Sequence, residues 1–243
     1  MNLLVLDLPF SFGEKEDHLY PVVLQHKQET ILVDCGYAGF TSLLEEALQQ
    51  HGLSLRSLTG LLITHHDIDH MGCAHELKKA FPALKIYTSE WEEAYVAGRE
   101  RSLRLQQAED LFDCLPEEQK ESALAFQELL KSMQPVQVDA VFADNKELPF
   151  LPGVQVIHTP GHMPGHISLY VKESKTLIAA DALVYQDGKL EIANPSFTLD
   201  LPQAIASIKK LQQLDINTII CYHGGVVHTA IPFQLEQLLA RYS

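Results

Sequence analysis

The sequence predicts an α/β fold, and three observations carry that prediction. Short runs rich in Val, Ile and Leu alternate with segments of helical periodicity along all 243 residues. Several of the apolar runs end in His or Asp beside Gly or Pro, residues that suit tight turns at strand ends. No low-complexity linker divides the chain, so residues 1–243 read as one domain.

In chain order, Leu3 to Leu8, Tyr20 to Leu24 and Thr30 to Val33 predict strands. Leu43, Leu44, Ala47 and Leu48 share one helical face within 40–50, and Gly52 ends that helix. A strand at 60–63, a helix over about 71–80 and a short strand at 84–87 follow. Residues 89–133 differ. Ser89 with Glu92 spells a capping box, and Leu111, Phe112 and Leu115 close a second helical stretch. Pro116, Glu117 and Glu118 open a third, in which Phe126, Leu129, Leu130 and Met133 keep i, i+3, i+4, i+7 spacing. The spacing predicts a helical insertion or cap within the domain.

Strands return at 136–142, 154–158, 167–171 and 176–180. Asp187-Gly188 predicts a hairpin between Val184-Tyr185 and Leu190-Glu191-Ile192. Asp200 with Gln203 caps a helix reaching about 214, and a strand at 218–222 and a helix at 232–242 complete the pattern.

The net charge of −14 argues against nucleic acid and anionic membrane surfaces, which need clustered Lys and Arg. Cys35, Cys73, Cys114 and Cys221 lie far apart, which fits reduced thiols better than a Cys-rich zinc site. The start of the chain lacks the features of a signal peptide, and no run approaches the ~18 apolar residues of a membrane span. A soluble cytoplasmic protein acting on a small molecule is expected, and a homodimer stays open.

The densest chemistry lies between Thr64 and Gly72, directly after Leu61-Leu62-Ile63. His65, His66, Asp67, Asp69 and His70 offer imidazole nitrogens and carboxylate oxygens, which suit Zn²⁺ and similar ions. Three later segments end apolar runs in the same residue types. They are Ile157 to His166, which holds His158, His162 and His166, then Leu177 to Asp181, and Ile219 to Gly225, which holds His223.

Together these segments resemble the metallo-β-lactamase superfamily. Its first motif, T-H-x-H-x-D-H-x-G, is met by Thr64, His65, Asp69, His70 and Gly72, with Asp67 where the pattern has His. Thr159, Pro160, Gly161, His162, Pro164, Gly165 and His166 match TPGHxPGH. Asp34-Cys35-Gly36, Asp181 and His223 match the remaining elements in order. The resemblance implies a four-layer αββα sandwich with metals at one edge of two sheets. It implies a first metal position at His65, Asp67 and His162 and a second at Asp69, His70 and His223, bridged by Asp181.

Asp69 and Asp181 are then the expected catalytic residues. The implied activity is that of a dinuclear hydrolase, in which a metal-bridging hydroxide cleaves a small ester, lactone or thioester. Zn²⁺ is expected first, with Fe²⁺ and Mn²⁺ as alternatives because Asp67 brings a hard oxygen. A diiron redox enzyme related to flavodiiron proteins, a phosphodiesterase and a metal-binding protein with an impaired site are the competing readings.

Neighbouring side chains at a strand end diverge, which favours Asp67 over His66 as the partner of His65. His158 and His166 read as structural. Asp34 either orients a ligand histidine or only forms the turn before Gly36. Tyr185, Trp91 and Tyr95 are candidates for the substrate pocket, with Arg99, Arg101 and Arg104 from the helical segment. The alternative for that segment is a solvated cap or a dimer surface.

Overall fold

The strands carry two apolar faces, and each face finds a different partner. The computed structural model describes residues 1–12 and 15–242. The first half runs β1 (Asn2–Val5), β2 (Leu8–Phe12), β3 (Lys15–Leu19), β4 (Val22–His26), β5 (Glu29–Val33), α1 (Thr41–Gln50), β6 (Gly60–Leu62), α2 (Ile68–Met71), α3 (Ala74–Ala80) and β7 (Lys85–Ser89). A helical segment follows: α4 (Glu93–Val96), α5 (Leu103–Asp110) and α6 (Glu117–Lys131). The second half is β8 (Ala140–Phe142), β9 (Glu147–Leu148), β10 (Leu151–His158), β11 (Ile167–Val171), β12 (Thr176–Ala180), β13 (Val184–Gln186), β14 (Lys189–Glu191), α7 (Leu201–Leu211), β15 (Thr218–Cys221), β16 (Gly225–Val227) and α8 (Ile231–Ala240).

Two six-stranded sheets form, ordered β1-β4-β5-β6-β7-β8 and β16-β15-β12-β11-β10-β9. Side chains alternate across each strand. Val22, Leu24, Ile31, Val33 and Leu62 of the first sheet meet Val156, Leu169, Ile178 and Ile220 of the second between the sheets. The intervening Val23, Leu32 and Leu61 face outward onto Leu44, Leu48 and Leu77 of α1 and α3. Leu177, Ala179 and Ile219 face Ile208, Leu211, Leu235 and Leu238 of α7 and α8. The result is the four-layer αββα sandwich. Each fully buried Leu, Ile or Val contributes about 1.5–3 kcal/mol of hydrophobic stabilisation, and both outer layers exist to cover the second apolar face of a sheet.

Several elements depart from the sequence expectation. The run at 3–8 breaks at Leu6-Asp7, sending β1 into the first sheet and β2 into a separate hairpin with the polar strand β3. The helix expected over 71–80 is two helices, α2 and α3, parted at Gly72 and Cys73. A Cβ on Gly72 would stand 2.4 Å from Ala38 N and from Ile68 O, so close backbone packing dictates glycine there. Of 136–142 only β8 joins a ladder, at the sheet edge beside β7. The Asp187-Gly188 hairpin forms, and Asp200 Oδ1 accepts from Gln203 N (2.9 Å) to start α7. No described helix is long and apolar enough to cross a membrane.

Candidate metal centre

Strands that run in one direction deliver their C-terminal ends to one place. β5 and β6 are parallel, as are β12 and β15, while β10 is antiparallel to β11, which is antiparallel to β12. Asp34 follows β5, and the 64–70 stretch follows β6. His162 follows β10, Asp181 follows β12 and His223 follows β15. Two strained residues mark this edge: Asp34 (φ 60°) and Ala180 (φ 47°) occupy the left-handed region, where non-glycine residues sit at a cost.

Three overlapping groups of ligand atoms gather there: His65, Asp67 and His162; His65, His70 and Asp181; and Asp69, His70 and His223. His162 Nε2 lies 2.9 Å from Asp67 Oδ2, and His65 Nε2 lies 3.5 Å from the same oxygen. His223 Nε2 is 3.1 Å from Asp69 Oδ2, and His70 Nε2 is 3.7 Å from it. Asp181 stands between, with Oδ2 3.5 Å from His162 Nε2 and Oδ1 3.3 Å from His70 Nε2. The buried atoms His65 Nε2, His70 Nε2, His162 Nδ1 and Asp181 Oδ1 have no hydrogen-bond partner. Bare buried polar atoms are costly, and a convergent set of nitrogens and carboxylate oxygens fits divalent ions.

Asp34 sets the orientation of this cluster. Its Oδ2 accepts from Thr64 Oγ1 (2.7 Å) and from His70 Nδ1 (2.8 Å), and its Oδ1 accepts from Thr64 N (2.8 Å). Because the Thr64 hydroxyl donates to Asp34, it accepts from His65 Nδ1 (3.1 Å). Both imidazoles thus carry their proton on Nδ1 and turn Nε2 inward. This resolves the alternative for Asp34 in favour of an orienting role. The Tyr222 hydroxyl donates to Asp69 O (2.7 Å) and accepts from Gly36 N (3.0 Å), tying α2 to the Asp34 turn.

Burial, with the neighbouring His70, pulls the His65 pKa down to about 3, so its imidazole is neutral. Burial opposes ionisation of Asp67, yet the Arg104 guanidinium beside it outweighs burial and holds the carboxyl well below the usual range. For His70, burial is outweighed by Asp181, Asp69 and Asp34, which together raise its pKa well above the ordinary value.

His66 points elsewhere. Its Nδ1 pairs with Glu92 Oε2, its Nε2 accepts from Leu103 N (3.3 Å), and its ring stacks on Tyr95 at 4.5 Å. Glu92 therefore does not close a capping box. Ser89 Oγ accepts from Glu92 N (3.3 Å), but the carboxylate turns into the core to His66 instead of back to Ser89. His166 Nε2 accepts from Asp181 N (3.0 Å), holding Asp181 in place, and His158 stacks on Trp91 at 3.9 Å.

A cavity of about 590 Å³ opens over the cluster. Asp67, Asp69, Asp181, His162 and His223 form its floor, and Ile68, Phe126, Val184, Tyr185 and Phe197 part of its wall. Tyr185 is part of the lining, with Tyr185 N donating to His223 O (3.0 Å). Gly224 permits this closeness, because a Cβ there would lie 1.9 Å from Tyr185 O. Trp91 and Tyr95 lie outside the lining. Their rings are spent on His158 and His66, which corrects the pocket expectation for both. Arg99 and Arg101 pair with Glu93 and Glu109 at the surface. Arg104 alone of the three reaches the cavity, where it grips Asp67. Glu92 and the Arg104–Asp67 pair escape sequence reasoning, since each contact spans 26 to 37 positions with no local signal.

The sequence profile described as the metallo-beta-lactamase superfamily matches residues 20–223. A probable metallo-hydrolase of Bacillus subtilis (strain 168), YflN, is 27% identical over 209 residues, covering 80% of this chain and 75% of that protein. The hydroxyacylglutathione hydrolase GloC of Haemophilus influenzae is 27% identical over 209 residues, covering 84% of both. The metallo-beta-lactamase family protein TTHA1429 from Thermus thermophilus superposes with a TM-score of 0.75 at 25% identity, over 99% of this chain and 79% of that one.

Proposed function

Because the chain belongs to the metallo-beta-lactamase superfamily and is a metal-dependent hydrolase, we propose that it cleaves a small uncharged ester, lactone or thioester at a two-metal centre. His65, Asp67 and His162 would hold one ion and Asp69, His70 and His223 the other, with Asp181 between the two groups. The observation that carries this reading is the orientation of Asp181, whose two oxygens address His162 on one side and His70 on the other. Zn²⁺ is the proposed ion. Fe²⁺ or Mn²⁺ is the second choice, because Asp67 brings an oxygen where a third imidazole would favour zinc.

Divalent ions held there supply Lewis acidity and lower the pKa of bound water towards 7. The chain's own residues do the rest. Asp34 and Thr64 fix the imidazoles before substrate arrives, so little reorganisation is needed during reaction. Ile68, Phe126, Val184 and Phe197 shield the acyl portion of a substrate from water. The Tyr185 hydroxyl donates a hydrogen bond to a substrate oxygen at the cavity wall.

With Asp67, Asp69 and Asp181 offsetting most of the charge of two divalent ions, the lining adds no cationic side chain free to hold an anion, which supports the uncharged substrate class. Asp17, Asp67, Asp69 and Asp181 all line the cavity, and Arg104 is the one Lys or Arg among the described lining residues. An anionic glutathione conjugate or phosphodiester finds no free cationic side chain to anchor it. The test is metal content of the purified protein together with turnover of a panel of neutral and anionic esters, lactones and thioesters. Metal-dependent turnover that favours neutral substrates is expected. Turnover that survives complete metal removal, or that favours anionic thioesters or phosphodiesters, overturns this assignment.

A further inference from the structure

Arg104 is buried (3% exposed) in a cluster otherwise made of carboxylates and imidazoles. Its Nε donates to Asp67 Oδ1 (3.1 Å) and its Nη2 to Asp67 Oδ2 (2.7 Å), a two-point grip on both carboxylate oxygens. Nη2 also lies 3.2 Å from His162 Nε2, while Nη1 donates to Gln107 Oε1 and to Phe197 O. These contacts give each of the three guanidinium nitrogens a protein partner. The grip is built in from behind. His66 receives Leu103 N at the start of α5 and is itself held by Glu92, which fixes the helix that carries Arg104. Among the described residues no Lys or Arg pairs with the group at Asp69, His70 and His223, and its Asp69 and His223 side chains are 14% and 32% exposed.

We propose that Arg104 makes the two metal positions unequal: the Asp69, His70, His223 and Asp181 position fills first and tightly, and the His65, Asp67 and His162 position fills second and weakly. The inference rests on the two-metal reading above. Its physical cause is direct. A fixed positive charge beside Asp67 repels an incoming dication, and both oxygens the ion would use are already hydrogen-bonded. Without Arg104, His65, Asp67 and His162 would present a full negative charge; with it, their formal charge is cancelled.

The test is titration of metal-stripped full-length protein with Zn²⁺ against a competing chromophoric chelator, with thermal unfolding to verify the fold of each variant. Wild type is expected to bind two ions in steps whose Kd values differ tenfold or more. Arg104→Met is expected to strengthen the second step by about tenfold or more, the scale of changes around metal ligands. Asp67→Asn, which reports on the same pair if the Arg104 variant does not fold, is expected to weaken the second step and leave the first within about threefold, since ligands of the other position are untouched. Two equal steps in wild type, a second step unimproved in folded Arg104→Met, or loss of the tight step in Asp67→Asn would overturn the inequality. Failure of wild type to bind any Zn²⁺ would instead overturn the two-metal reading beneath it.

Discussion

The two halves of the centre are built from the same residue types yet sit in different surroundings. Asp69 and His223 border the open cavity, and among the described lining residues no Lys or Arg stands beside them. Around Asp67 the helical segment closes in, and a guanidinium takes both carboxylate oxygens. The Asp67 carboxylate, a candidate ligand, is thereby half of a buried ion pair. The difference teaches that ligand identity alone does not set metal affinity. What packs behind the ligand decides how much of its charge remains for an ion.

The largest effect is expected where the halves meet. Asp181→Ala removes the group shared by both, and turnover should fall by several kcal/mol of transition-state stabilisation, on the order of a thousandfold. Steady-state kinetics with metal counting checks this, and unchanged activity would place the centre elsewhere. Asp34→Ala comes next, because Asp34 orients His70 directly and His65 through Thr64. Metal affinity should drop about 10–100-fold in both halves. Stability should fall by about 1–3 kcal/mol for each buried donor left bare, measurable by denaturant unfolding.

A third change should separate the halves. Glu92→Gln weakens the hold on His66 and so on the start of α5. Faster amide exchange over 103–110 is expected, with a changed second Zn²⁺ step and an unaltered first one. Equal disturbance of both steps would show that α5 does not act through Arg104. The smallest effects concern the cavity wall. Tyr185→Phe should reduce kcat/KM about tenfold or less, the worth of one hydrogen bond, while Trp91→Ala should leave it unchanged because Trp91 stacks on His158 outside the cavity.

Much of this architecture was legible in the sequence. Alternating strands such as Val22, Val23 and Leu24 must bury both faces, which called for helices outside two sheets. The groups at His65, His70, His162, Asp181 and His223 were legible because metal chemistry restricts residue types and strand ends restrict their places. What escaped was decided by packing across the chain. Ser89 and Glu92 spell a local cap, but burial beside His66 offers the carboxylate a stronger partner, a buried hydrogen bond to the imidazole. Trp91 and Tyr95 were expected at the pocket because aromatic and basic residues collect in the helical segment, yet the turn before α4 aims Trp91 at His158 and α4 itself lays Tyr95 on His66. Arg104 stood out only as one basic residue among three. Nothing local distinguishes it from Arg99 and Arg101, whose partners are surface carboxylates.

The most direct test of the account is stepwise reconstitution of metal-stripped wild-type protein, following bound Zn²⁺ per chain and hydrolysis of a neutral ester or lactone together. The account predicts a first, tight equivalent that leaves hydrolysis low and a second, weaker equivalent with which hydrolysis rises. Full hydrolysis at the first equivalent, or two equivalents bound with equal affinity, would contradict it.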